Sequence, residues 1–323
     1  MIKPIVIIAG EPNSISSEII FKSWKKRKKY IRNPIIIIGS IDLINLQKKK
    51  LDYSIKTKLL KINFNYKKLK KNILYVYDIK YVQKRPFQKV SIKSNNYIFK
   101  CFEVALKLIK DKRISGFINC PVSKETLFKN KHQGITEFLS KKAGVQGNEV
   151  MLIYNKKLSV APITTHIPLK KVSSKINKLI ILKKIKIIND FYRKRFKRKP
   201  KIGVLGLNPH NFSSLYRSEE KEIIKPAIKL AKKNRLKVRG PLPPDAGFLY
   251  AQKNKLDTLV GMYHDQVLSP FKTLFKYNAI NITLGLPYIR ISPDHGIGLN
   301  IVGKKKANPQ SLIESIKFLQ KIK

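Results

Sequence analysis

The chain has 323 residues, 43% of them hydrophobic, which is enough apolar side chain for a sizeable core in one large α/β unit or two smaller lobes. Its formal charge of +50, from 69 Lys and Arg against 19 Asp and Glu, raises nucleic acid, anionic membranes and acidic substrates as partners. The lysines are spread over nearly every segment, however, without zinc-finger spacing, a ribonucleoprotein motif or a basic zipper, and no apolar run approaches a membrane span; specific nucleic-acid and membrane partners are therefore not expected.

Residues 5–9 read as an apolar, β-branched strand with no basic region or cleavage site ahead of it, so the expectation is a cytoplasmic chain without a secretion signal. Two cysteines, Cys101 and Cys120, lie too far apart for a zinc ribbon and fit a reducing compartment. A helix is expected over 16–30, with the dense basic run 22–29 around Trp24 as its solvated face, and a second strand over 35–39. Residues 48–93 carry aromatic and β-branched stretches that suit edge strands or a hairpin. Further on, strands are expected at 114–119, 159–164, 202–206 and 256–262, and helices at 97–111, 174–194, 219–234 and 309–322. The last helix follows Asn308 and Pro309, suited to a cap and first turn. This alternation is the rhythm of an α/β protein with a mainly parallel sheet covered by helices, in which ligands bind past the carboxyl ends of strands.

Three of the five histidines share one setting, an apolar strand pattern running into His166, His210 and His264. Strands of one parallel sheet can place all three at one edge, where three neutral imidazoles make a first shell for a divalent transition metal with a position left open. Three unconnected strand-end caps are the alternative. After His264 come Asp265 and Gln266, then Lys272, Asn281 and Arg290 in apolar, Gly/Pro-punctuated sequence, closing on Asp294 and His295. A carboxylate beside a ligating His orients its ring or handles protons, and a lone Arg inside the apolar stretch 284–291 suits a phosphate or carboxylate. Lys272 carries less weight in a chain this rich in lysine.

Several segments in order resemble the motifs of the 4-hydroxythreonine-4-phosphate dehydrogenase family: GEP at 10–12, NCPVSK at 119–124, GITEFL at 134–139, GLNPH at 206–210, GPLPPDAGF at 240–248, YHDQ at 263–266 and NITLGLPYIRISPDHG at 281–296. The resemblance implies two α/β lobes around a cleft, of the isocitrate and isopropylmalate dehydrogenase type, with the first lobe at 1–124 plus 300–323 and the second at 125–299. It further implies a homodimer with the site at the interface. A divalent metal, Zn before Mg or Co, falls on His166, His210 and His264, and substrate contacts fall on Thr136, Lys272, Asn281 and Arg290. The implied reaction is NAD- or NADP-dependent oxidation of 4-phosphooxy-L-threonine to 2-amino-3-oxo-4-phosphooxybutanoate. That product loses carbon dioxide to give 3-amino-2-oxopropyl phosphate, a step of vitamin B6 biosynthesis. Asp245 and Asp265 are the candidate proton acceptors.

The chain departs from the family pattern in three places. Ile135 stands where a substrate-binding His usually precedes the Thr, and His132 is too far along the loop to replace it without a shift. Asn13, Ser14 and Ser16 replace glycines after GEP, and 211–217 replaces a Gly-rich stretch; close backbone approach to phosphate is easiest at Gly. No simple dinucleotide fingerprint occurs, so nicotinamide use rests on the resemblance. A sister dehydrogenase of threonate or erythronate phosphate, a basic nucleic-acid-binding protein on the same fold, and a metal-dependent hydrolase remain as alternatives.

Overall fold

The computed structural model describes residues 3–61, 63–128, 134–211 and 217–322. His132 therefore lies outside the described residues, as do 212–216. The strands are, in chain order, β1 (Ile5–Ile8), β2 (Ile35–Gly39), β3 (Thr57–Leu59), β4 (Leu74–Asp78), β5 (Gly116–Asn119), β6 (Val150–Tyr154), β7 (Ser159–Thr164), β8 (Ile202–Leu205), β9 (Val238–Leu242), β10 (Thr258–Tyr263), β11 (Ile280–Leu284) and β12 (Ile289–Pro293). The chain divides into unit 1, Met1–Ile135 with Tyr288–Lys323, and unit 2, Thr136–Pro287. Arg290 thus belongs to unit 1, whereas the division drawn from the sequence counts it within 125–299.

In unit 1 the strand order is β3-β4-β2-β1-β5-β12 and every pairing is parallel. The central strands are Ile and Val on both faces and wholly buried, as parallel strands covered on both sides must be. The helix Asn95–Lys110 packs on β1 and β2, and the helix Gln310–Lys321 on β1, β5 and β12. Phe102 and Phe117 meet edge to face at 6.2 Å in this core, each ring contributing about 2–3 kcal/mol of burial. The stretch 48–93 is not a hairpin: β3 and β4 run parallel at the edge, with Thr57 opposite Leu74 and a 3-10 turn at Tyr66–Lys68 between them. Only Gly fits at position 10, just past β1, because φ is +76° and a Cβ would stand 2.5 Å from the Pro121 carbonyl.

Unit 2 has the order β11-β6-β7-β10-β8-β9, with β6 antiparallel to both neighbours and the remaining pairs parallel. Val160, Leu205, Leu259, Val267 and Phe271 form its core. The long helix starts at Lys178 instead of 174 because the Asn177 side chain accepts from the Ile180 amide at 2.9 Å and fixes the cap there. The helix expected over 219–234 is present as one continuous helical run, with a π turn at Glu220–Ile224 leading into the α-helix Lys225–Lys233. Pro226, whose missing N–H cannot donate back into the preceding turn, accounts for the π geometry there.

Candidate active site

The adjacent strands β7, β10 and β8 run parallel, and each leads at its carboxyl end to one of the three histidines. A chain of short hydrogen bonds ties these ends together. The Thr164 hydroxyl donates to the Met262 carbonyl at 2.8 Å, the Met262 amide donates to Gln266 Oε1 at 2.6 Å, and Gln266 Nε2 donates to the Gly206 carbonyl at 2.7 Å. Met262 lies two residues before His264, Thr164 two before His166 and Gly206 four before His210, so one polar staple fixes the backbone on which all three imidazoles hang.

Backbone strain marks the same edge. His166 and His210 have φ of 46° and 53°, a left-handed conformation that costs a non-Gly residue about 1–3 kcal/mol and persists where the surroundings enforce it. The rings of His166 and His264 face each other with centroids 5.8 Å apart. His264 Nδ1 lies 2.6 Å from Asp265 Oδ1; an ionised carboxylate only accepts, so Nδ1 carries the proton and the Nε2 lone pair is left for a ligand. On the other ring, His166 Nδ1 lies 4.0 Å from Glu137 Oε1.

The loop carrying His210 is held from below by Glu220, a fully buried carboxylate whose importance the sequence did not signal. Its Oε1 accepts from the Leu207 and Asn208 amides at 2.7 and 2.8 Å, and its Oε2 from the Asn208 side chain at 3.0 Å. Burial pushes this carboxyl up, but the hydrogen bonds from Asn208 and Leu207 together outweigh it and hold the group below the usual carboxylate range. Among the described residues no three His, Cys, Asp or Glu side chains are gathered closely enough to hold a metal ion. His166 and His264 are brought together with Glu137 and Asp265 beside them; His210 shares their sheet edge without completing a three-ligand group.

Of the expected substrate contacts in unit 2, two lie together. Thr136, in the first turn of the helix Ile135–Lys142, shares a hydrogen bond with Thr283 on β11 at 3.3 Å. Asn281 is two residues earlier on that strand, hence on the same face, and its amide oxygen is buried without a partner. Lys272 is exposed near the end of the helix His264–Phe275, about 12 Å along the axis from His264. Asp245 sits in an exposed turn between β9 and the helix Gly247–Lys253. In unit 1, Arg290 on β12 is only 4% exposed and its Nε donates to Asn119 Oδ1 at 2.6 Å. Beside it, burial pushes the Tyr288 phenol up to about 12, partly offset by the Arg290 charge.

The comparison that decides the family covers most of the chain: residues 31–319 match the model described as "Pyridoxal phosphate biosynthetic protein PdxA". The chain belongs to the PdxA family. It is 37% identical over 330 residues to the 4-hydroxythreonine-4-phosphate dehydrogenase of Aquifex aeolicus, spanning 99% of this chain and 98% of that one. It is also 31% identical over 326 residues to the D-threonate 4-phosphate dehydrogenase of Salmonella typhimurium, covering 99% of both. A crystal structure of 4-hydroxythreonine-4-phosphate dehydrogenase from Klebsiella pneumoniae superposes with a TM-score of 0.86 at 28% identity, covering 99% of each chain. Membership in the PdxA family makes this an α/β enzyme of the dehydrogenase class, as the ordered motifs implied.

Proposed function

We propose that the chain oxidises 4-phosphooxy-L-threonine with NAD as hydride acceptor, giving 2-amino-3-oxo-4-phosphooxybutanoate, which decarboxylates to 3-amino-2-oxopropyl phosphate. The observation that carries this reading is the stapled edge of β7, β10 and β8 in a chain with full-length dehydrogenase relatives. By residue type, three imidazoles suit a divalent metal, Zn2+ first and Mg2+ or Co2+ as alternatives, although among the described residues His210 is not gathered with the other two. The residues that would hold it are His166, His210 and His264, with His264 Nδ1 engaged by Asp265. A metal held there would supply Lewis acidity toward the substrate's secondary hydroxyl, and a bound nicotinamide would supply the hydride acceptor.

The protein's own groups bind, orient and move the proton. Arg290 grips an anionic end of the substrate through its fork, and Lys272 neutralises charge as a point cation. Thr136 and Asn281 hydrogen-bond the polar middle of the molecule, Asn281 with an amide oxygen that otherwise has no donor. The hydroxyl proton passes to a carboxylate, Asp265 or Asp245. Oxidation leaves a ketone β to the substrate carboxylate, and this ketone accepts the electron pair of the C–C bond as carbon dioxide departs. The working unit is a cytoplasmic homodimer with the site at the subunit interface.

A second reading, oxidation of a threonate or erythronate phosphate, is favoured by Ile135. This side chain is 4% exposed, and it cannot donate the hydrogen bond of the imidazole usual at that place. Appearance of reduced nicotinamide with 4-phosphooxy-L-threonine and D-threonate 4-phosphate, assayed side by side, separates the two. Faster turnover of the amino acid supports the first reading, faster turnover of the sugar acid the second, and turnover of neither removes both.

A further inference from the structure

Glu137 stands in the GITEFL segment, one residue after Thr136, and none of the roles assigned above uses it. Its Oε1 is 4.0 Å from His166 Nδ1, and its Oε2 is buried without a hydrogen-bond partner. Asp265 stands at the equivalent nitrogen of the facing histidine, so both rings of the 5.8 Å pair turn Nδ1 toward a carboxylate. We propose that Glu137 is the positioning residue of His166, its carboxylate accepting from the imidazole Nδ1–H so that Nε2 presents its lone pair to the metal. A charge-assisted N–H···O bond is about 2.8 Å long, so roughly 1 Å of side-chain movement completes the contact.

A cation on a neighbouring helix interacts electrostatically with this carboxylate. Lys184, on the helix Lys178–Phe196, donates to the Ile163 carbonyl at 2.7 Å, three residues before His166 on the same run of chain. Burial pushes its ammonium pKa down, while Glu149 and Glu137 raise it again.

The inference rests on the proposed metal role of the histidines, and its test separates the two. Zn2+ is titrated into metal-free wild type, Glu137→Gln, Glu137→Ala and His264→Ala against a chromophoric chelator, with the melting temperature of each metal-free protein measured alongside. Expected is tight binding by wild type, about tenfold weaker binding by Glu137→Gln, which keeps a neutral acceptor, and up to about a hundredfold weaker binding by Glu137→Ala, with metal-free melting unchanged. Equal affinity in wild type and both Glu137 variants overturns the inference and leaves the metal reading standing. Weakened binding that only accompanies a lowered metal-free melting temperature assigns Glu137 a structural role and also overturns it. Binding by His264→Ala as tight as by wild type, or none by wild type, overturns the metal reading and the inference together.

Discussion

Arg290 shows what a residue can and cannot reveal before the fold is known. Its charge stands out because 284–291 is otherwise apolar, but its partner Asn119 lies 171 positions away, and nothing local in the sequence couples the two. With Nε committed to Asn119, Arg290→Lys loses both that bond and the fork; a lost charged hydrogen bond of about 1.5–3 kcal/mol corresponds to a ten- to hundredfold fall in kcat/KM, read in steady-state assays on the substrate. Near-normal kinetics would remove Arg290 from substrate binding. Glu11 makes a separate pH-dependent claim. Burial pushes its carboxyl up, against the lowering effect of the Asn13 amide and the Ser94 hydroxyl. The folded chain keeps that proton to higher pH than the unfolded chain. The associated stability is complete below the ordinary carboxylate pKa and is lost as pH rises through the raised value. Glu11→Gln cannot ionise, so its melting temperature should gain on wild type across that window; a constant difference from pH 3 to pH 8, about the range to scan, would show that the carboxyl is not perturbed.

At the scale of elements, the strands were legible as short, wholly buried runs: β2, mostly Ile, and β7, of mixed small and β-branched residues, occupy 35–39 and 159–164 as read from the sequence. The 48–93 stretch was not legible to the same degree, because parallel and antiparallel edge pairing share one composition and differ only in long-range partners. The turn after β8 was missed for a related reason. Glu220 reads as one more charge on a helix, yet the carboxylate points inward and accepts from Leu207 and Asn208 of the loop before His210. Glu220→Ala leaves these donors unpaired in a buried place, and a loss of about 3 kcal/mol in denaturant unfolding is expected, with weaker Zn2+ binding as the loop loosens. Its depressed pKa adds a direction: the stability it contributes is present above the unfolded carboxylate pKa and lost as pH falls through the lower folded value. Wild type should therefore lose its advantage over Glu220→Ala in acid, whereas a difference independent of pH would contradict the charged hydrogen bonds.

For the whole molecule, the alternation of strand and helix patterns was sufficient to read the α/β class, and the ordered motifs were sufficient to read the family. The charge of +50 was not informative about function in the same way, because it is distributed over the surface instead of being concentrated at one recognition element. Duplex DNA should bind only weakly, with affinity falling steeply between low and physiological salt; sequence-selective binding that survives physiological salt would contradict this. The central claim is that the histidines past β7, β10 and β8 serve a dehydrogenase. It is tested most directly by following reduced-nicotinamide absorbance from 4-phosphooxy-L-threonine with the enzyme as purified, after chelation, and after Zn2+ is restored. The expected result is turnover that stops on chelation and returns with Zn2+, and is lost in His264→Ala. Undiminished turnover in chelator, or full activity of His264→Ala, would contradict it.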